Sequence, residues 1–182
     1  MSEADIVRVV QAFESQGAGW ALVGAHAIGL LTEPRATADF DFIVDGAKIG
    51  GVVRELSSQL GELDERDIGA GLELRAIDVD LIRSTNHPLF QLAIEHVRTI
   101  GDWKVPRTEV LIVLKFLSAV SPWRARNKRR LDVTDIGFLY EAVGAELDRA
   151  WMQELAGLVY PGAEREFAEL LRKLERGEPI SI

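Results

Sequence analysis

The sequence predicts an α+β fold, with an α/β N-terminal half followed by an all-helical part. Three observations predict it. Short apolar runs alternate with amphipathic helical stretches as far as about Arg107. Two of those runs carry aspartates at alternating positions, Asp39-Phe40-Asp41-Phe42 and Asp78-Val79-Asp80-Leu81. Beyond Thr108 no segment has the length or alternation of a strand.

The elements follow in order. Ile6, Val9, Val10 and Phe13 recur at three-and-four spacing, which predicts an amphipathic helix over Asp5–Ser15. Gln16-Gly17-Ala18-Gly19 ends it, and Trp20–Val23 is a short strand stopped at Gly24. Ala25–Gly29 has the small-residue composition of a turn leading into a helix, and that helix is expected over His26–Leu31. Thr32–Ala38 is a connection, and Phe40–Val44 is the first acidic strand. Val52, Val53, Leu56 and Leu60 place a helix over Ile49–Leu60. A polar, glycine-rich stretch spans Gly61–Gly71, and strand alternation returns at Leu72–Leu74 and Ala76–Ile82. His87-Pro88 opens a helix expected over Leu89–Thr99, and Trp103–Val105 is a short strand closed by Pro106. In the second half, Glu109–Val120 is a nearly all-apolar helix interrupted by Lys115. Pro122–Arg130 reads as a basic connection, and Asp132 as the N-cap of a helix over Asp132–Val143 with Asp135 three residues on. Helices over Leu147–Val159 and from Pro161-Gly162 to about Arg176 finish the chain.

Composition narrows the function classes. With 182 residues, 47% of them hydrophobic and 27% charged, the chain can bury a substantial core. A net charge of -8 argues against a general polyanion coat but leaves room for a local basic patch. There is no cysteine, so disulfides and thiolate metal sites are excluded. The N-terminal segment is acidic and then amphipathic, unlike a secretory signal, and no apolar run approaches the roughly 20 residues that span a bilayer. The expectation is a cytoplasmic protein.

The aspartates carry the chemistry. Asp39 and Asp41, two apart on a strand, leave the same face, as do Asp78 and Asp80. If the two strands are neighbours, three or four carboxylates converge at one sheet end. Such a group needs a cation, and an all-oxygen donor set favours Mg²⁺ over zinc. Two ions about 4 Å apart would suit phosphoryl transfer. Gly24-Ala25 gives a turn whose backbone amides could face a triphosphate, although a strand-to-helix glycine turn is more often only a turn. Lys115 is either a lysine snorkelling at the rim of the core or a cation for a phosphate. Arg124, Arg126, Lys128, Arg129 and Arg130 form either a solvated loop or a phosphate-facing surface. His26 reads as a satisfied core histidine and His87 as a helix-entry residue. With His96 they are the only histidines, too scattered for a histidine metal site.

Gly24-Ala25, then Pro34-Arg35-Ala36-Thr37-Ala38-Asp39-Phe40-Asp41, then Val79-Asp80-Leu81 resemble the DNA polymerase β-type nucleotidyltransferase superfamily. More narrowly the chain resembles small bacterial and archaeal nucleotidyltransferases related to the AbiEii-type toxins. Those proteins carry a glycine turn, an RxTxDxD segment, a third strand aspartate, a helix lysine and a later basic segment with two aspartates. Here Lys115, Arg126-Asn127-Lys128, Asp132 and Asp135 match the later parts, and Ala25 stands where the family commonly has Gly or Ser. The resemblance implies a small mixed sheet flanked by helices, with residues 1–107 as catalytic core and 108–182 as a helical subdomain. It implies transfer of a nucleoside monophosphate from an NTP to an acceptor hydroxyl, with release of pyrophosphate. Asp39, Asp41 and Asp80 would be the catalytic and Mg²⁺-binding residues, with two ions between them and with Asp78 as the alternative third carboxylate. Gly24, Ala25, Arg35, Thr37, Lys115, Arg126 and Lys128 would bind the nucleotide, although Arg35 could instead pair with a nearby aspartate. A toxin-like relative would act on tRNA, held through Arg124–Arg130, and would have an antitoxin-like protein partner. Other acceptors in the superfamily are antibiotics and protein hydroxyls. A degenerate nucleotide-binding module working through a protein partner is the non-enzymatic alternative.

Overall fold

The computed structural model describes residues 3–178 and 180. Met1 and Ser2, which open the N-terminal segment discussed above, lie outside the described residues. The chain divides into two compact units. One comprises the residues up to Leu30 together with Pro34–Pro106, and the other Leu31–Glu33 with the residues from Arg107 onward.

The first unit is built on a five-stranded mixed sheet. Its strands are β1 (Trp20–Val23), β2 (Phe40–Val44), β3 (Glu65–Asp67), β4 (Gly71–Leu74) and β5 (Val79–Arg83), in the spatial order β1-β2-β5-β4-β3. Only β2 and β5 run parallel; the other neighbours are antiparallel. A parallel pair requires a long crossover, and the stretch between β2 and β5 includes helix α3 (Ile49–Leu60). Helix α1 (Glu3–Ser15) buries Val9 and Phe13, and α3 buries Val52 and Leu56, as their spacing predicts. Phe13, Trp20 and Phe42 form the centre of the core, with ring centroids 5.2–5.9 Å apart. The indole N–H of Trp20 donates to Glu14 at 2.8 Å, and Lys104 reaches the same carboxylate at 2.7 Å. Helices α2 (Gly24–Gly29) and α4 (Pro88–Glu95) and the hairpin β6 (Val97–Ile100) with β7 (Trp103–Pro106) complete the unit.

Three local expectations change. The helix expected to continue to Thr99 ends at Glu95, and Val97–Ile100 instead pairs with β7. The pairing is closed by a two-residue turn at Gly101-Asp102, where Gly101 has φ +58, the backbone that such tight hairpins favour. Ala76–Ile82 is not one strand, because Arg75–Ile77 form a 3₁₀ turn and Asp78 is left-handed at φ +49. Asp78 therefore does not share a strand face with Asp80. The polar stretch after Gly61 contains the short, fully exposed strand β3.

The second unit is helical among the described residues: α5 (Thr108–Val120), α6 (Arg126–Val143), α7 (Arg149–Ala156) and α8 (Ala163–Glu175). Helix α5 is its core element, with Val110, Ile112, Val113 and Phe116 fully buried. Phe116 meets Phe167 of α8 edge-on at 5.1 Å. Helix α6 begins six residues before the expected Asp132, so the basic run forms its first turns rather than a loop. Asp132 and Asp135 lie inside the helix and are buried. Asp148 caps α7 by accepting the Trp151 amide at 3.0 Å. Among the described residues, no helix is long and apolar enough to cross a membrane.

Glu109 ties the start of α5 to that cap. Burial pushes its carboxyl upward, but hydrogen bonds from Arg107 at 2.8 Å and from the Asp148 amide at 3.2 Å outweigh it and hold the pKa below the ordinary glutamate value. A carboxylate held down in the folded state stabilises fully above its unfolded pKa, and the effect is lost as pH falls through the folded value. Glu109→Gln is expected to cost about 1–2 kcal/mol at pH 7, the lower part of the charged hydrogen-bond range because Arg107 is half exposed. Urea midpoints measured from pH 7 down to pH 3 should show the two proteins converging in acid.

Candidate active site

Strand register brings two of the predicted carboxylates together. Asp41 on β2 pairs with Asp80 on the parallel strand β5, and Asp41 is also opposite Val23 of β1. Residues directly opposite on adjacent strands point to the same face. On the far side of Asp80 the register adds Glu73 of β4, and beyond it Arg66 of β3. The result is a cross-strand row, Asp41–Asp80–Glu73–Arg66, each member half-buried except the exposed arginine. Arg66 approaches Glu73 Oε2 to 3.6 Å, too far for a hydrogen bond, and that oxygen is buried without a hydrogen-bond partner. Glu73 was visible in the sequence only as the middle of Leu72-Glu73-Leu74; its place beside Asp80 depends on register.

Gly24 fits this row closely. Its φ is +66, and a Cβ built there would fall 1.9 Å from Asp41 Oδ2. A side chain at this position would thus collide with the carboxylate and also occupy a left-handed backbone. The turn lets the chain pass against Asp41 and enter α2, on which Ala25 is buried. His26, in the same helix, stacks on Phe40 with centroids 3.6 Å apart. Burial lowers its pKa, and the nearby negative charge of Asp39 counteracts that only in part. Its Nε2 is buried without a hydrogen-bond partner, so His26 is not the satisfied core histidine expected.

Three other predicted residues of this unit lie in the connection that leads into β2, and Asp78 immediately precedes β5. Asp39 immediately precedes β2 and is exposed, as is Arg35, while Thr37 between them is half-buried. Asp78 accepts the Phe40 amide through its carbonyl oxygen at 2.9 Å, which joins the two acidic segments at their N-terminal ends. Among the described residues, no three His, Asp or Glu side chains converge closely enough to cage a metal ion. The donor set nevertheless fits Mg²⁺, which is commonly held by one or two carboxylates completed by phosphate oxygens and water. Asp41 and Asp80 are such a pair.

In the helical unit the structure joins Lys115 to both buried aspartates of α6. Lys115 Nζ lies 3.0 Å from Asp132 Oδ1 and 2.8 Å from Asp135 Oδ2. Arg124 donates to Asp132 through Nε at 2.8 Å and through Nη2 at 3.2 Å. Two cations and two carboxylates balance, so the network is neutral while α5 and α6 pack around it. Arg126 and Lys128 are exposed on the first turn of α6. Removing one member of a buried ion group leaves an uncompensated charge, so Lys115→Met is expected to destabilise by about 3–5 kcal/mol. Lys115→Met combined with Asp135→Leu should recover much of that loss, which thermal or urea unfolding would show.

No family model matches the chain, and no curated protein does. Solved structures do. The solution structure of the antibiotic-resistance factor ANT(2'')-Ia matches with a TM-score of 0.57 and 16% identity, over 96% of this chain and 95% of that one. An antigenic nucleotidyltransferase-like protein from Paracoccidioides brasiliensis matches with a TM-score of 0.55 and 19% identity, over 95% of this chain and 92% of that one. The crystal structure of ANT(2'')-Ia with adenylyl-2''-tobramycin matches with a TM-score of 0.51 and 18% identity, over 90% and 96% of the two chains. A turn glycine pressed against paired strand carboxylates therefore stands in a chain that has the nucleotidyltransferase fold.

Proposed function

We propose that the chain is a Mg²⁺-dependent nucleotidyltransferase that moves a nucleoside monophosphate from an NTP to an acceptor hydroxyl. The observation that carries this reading is the Asp41–Asp80 register pair with Gly24 packed against Asp41. In the reaction the acceptor oxygen forms a bond to the α-phosphorus, and the bond from that phosphorus to the pyrophosphate oxygen breaks. The acceptor proton passes to a base at the site, a role that suits Asp80, and pyrophosphate leaves. Bound Mg²⁺ would supply the positive charge that lets the carboxylates and the triphosphate share one face.

The residues divide the work by position. Asp39 and Asp41 hold the metal, and Asp80 completes the set and orients the acceptor hydroxyl. Gly24 and Ala25 offer backbone amides to the triphosphate, and Arg35 and Thr37 add side-chain contacts from the connection before β2. The resemblance adds Lys115, Arg126 and Lys128 as nucleotide cations. For Lys115 that role requires it to exchange Asp132 and Asp135 for phosphate oxygens. Residues 1–107 form the catalytic core in this reading, and 108–182 the helical subdomain. Use of an NTP suits a cytoplasmic protein.

For the acceptor we favour RNA, a tRNA end above all, as for a toxin-like enzyme kept in check by an antitoxin-like protein. The basic start of α6 supports a polyanionic acceptor. A small cationic acceptor is the second reading. It is supported by the likeness to the ANT(2'')-Ia structure that holds adenylyl-2''-tobramycin and by Glu73, which makes the row more acidic.

Incubation with each α-labelled NTP, Mg²⁺ and either total tRNA or an aminoglycoside tests the reaction and both acceptors. Label is expected on one acceptor and is expected to fall roughly 10²–10³-fold in Asp41→Ala, the loss typical for one preorganised electrostatic group. No transfer to either acceptor would overturn the proposal. Gly24→Ala should reduce transfer as well, because its Cβ displaces the Asp41 carboxylate, while Gly17→Ala, at a similar positive φ in open space, should leave transfer unchanged.

A further inference from the structure

We propose that the helical unit carries a binding pocket for single-stranded nucleic acid, with arginines gripping the phosphates and Trp123 stacking on a base. The pocket deepens the RNA-acceptor reading above and rests on it for its role, though not for its existence.

The pocket has a volume of about 650 Å³, and Arg124, Arg126, Arg129 and Arg130 line it together with Val133 and Thr134 of α6. That size lies within the range of ordinary ligand sites, roughly 300–1,000 Å³. Asp132 balances the charge of Arg124, and the other three guanidinium groups around one cavity, in a chain of net charge -8, are a local inversion of the field. Two of the four are fixed in place. Arg124 is held from behind by buried Asp132, and the Arg129 Nε donates to the Arg124 carbonyl oxygen at 3.0 Å. Among the described residues, no carboxylate forms an ion pair with Arg126, Arg129 or Arg130.

The position of these cations within the helix points the same way. The first turn of an α-helix favours negative charge, because its free amides and macrodipole make that end positive. Helix α6 has no acidic residue in its first turn and no side-chain cap at Ala125, yet it begins Arg-Asn-Lys-Arg-Arg. The arrangement opposes helix electrostatics until an anion occupies the pocket and pairs with the guanidinium groups.

Trp123 selects the kind of anion. It lies outside the lining of the pocket, immediately precedes Arg124 in the chain and is 93% exposed. A fully exposed indole beside a cluster of arginines is the pairing that binds single strands, with the base on the ring and the phosphates on the cations. A duplex keeps its bases stacked internally and offers phosphates alone.

The test is binding of a labelled 10-nucleotide single-stranded RNA to the full-length protein, without NTP, followed by anisotropy across a salt series. Trp123→Ala should weaken binding roughly 5- to 100-fold. Arg126→Ala and Arg130→Ala should each reduce the slope of log K against log salt by about 0.7. Binding of the same RNA should quench Trp123 emission, a signal absent from Trp123→Ala. The corresponding duplex should bind without dependence on Trp123, and pyrophosphate should compete only weakly. If Trp123→Ala binds like the wild type, or if pyrophosphate or an acidic peptide competes as well as RNA, the proposal is overturned. Asp41→Ala should bind RNA normally. RNA binding without label transfer would therefore remove the catalytic reading and leave the pocket, and transfer to an acceptor without RNA binding would do the reverse.

Discussion

The placement of Asp41 beside Asp80 is the constraint around which the first unit is arranged. Two carboxylates directly opposite each other on neighbouring strands repel, and Glu73 extends the same charge one strand further. The opposite face supplies the stability that tolerates them, since Phe42 beside Asp41 packs into Phe13 and Trp20. Gly24 then commits the backbone to the acidic side. Only a residue without a Cβ brings the chain this close to Asp41, so the turn and the carboxylate form one geometric unit.

Charge is handled differently in the helical unit. There Asp132 and Asp135 are almost completely buried, and each has a cation within hydrogen-bond distance. Such a closed network contributes little net stability over an apolar replacement, but it is costly to break. It fixes the rotation of α6 against α5, because Lys115 must meet residues three apart on one face of the helix. It also fixes Arg124, and through the Arg124 carbonyl it fixes Arg129. The buried neutral cluster thus acts as the support for the exposed basic one.

Much of this was legible in the sequence, and the illegible parts share a cause. The Phe40-Asp41-Phe42 alternation, the glycine stop after β1 and the apolar run of α5 are local patterns, and each appears where the pattern predicts, whereas Asp39 falls just before β2 rather than on it. The pairing of Asp41 with Asp80, the addition of Glu73 and the hairpin of β6 with β7 depend on contacts between distant segments, which spacing along the chain cannot encode. Asp78 was misplaced for a different reason. Its alternation with Asp80 looks like a strand, but a left-handed residue after a 3₁₀ turn interrupts it, and asparagine and aspartate tolerate that backbone better than most residues. The start of α6 was misread because its cations and lack of a cap contradict the usual signals for a helix N-terminus.

That last contradiction is the more informative one. Local preference and global fold agree along most of a natural chain, and places where they conflict tend to be functional. The chain contains two such places. One is the acidic row, where like charges adjoin on a sheet; the other is the start of α6, where like charges adjoin at the wrong end of a helix. In the proposed reaction a divalent cation with a triphosphate would relieve the first conflict, and in the proposed pocket a polyanion would relieve the second. A nucleotidyltransferase acting on RNA would bring both ligands to one protein, so the proposed reaction would account for both unfavourable charge arrangements.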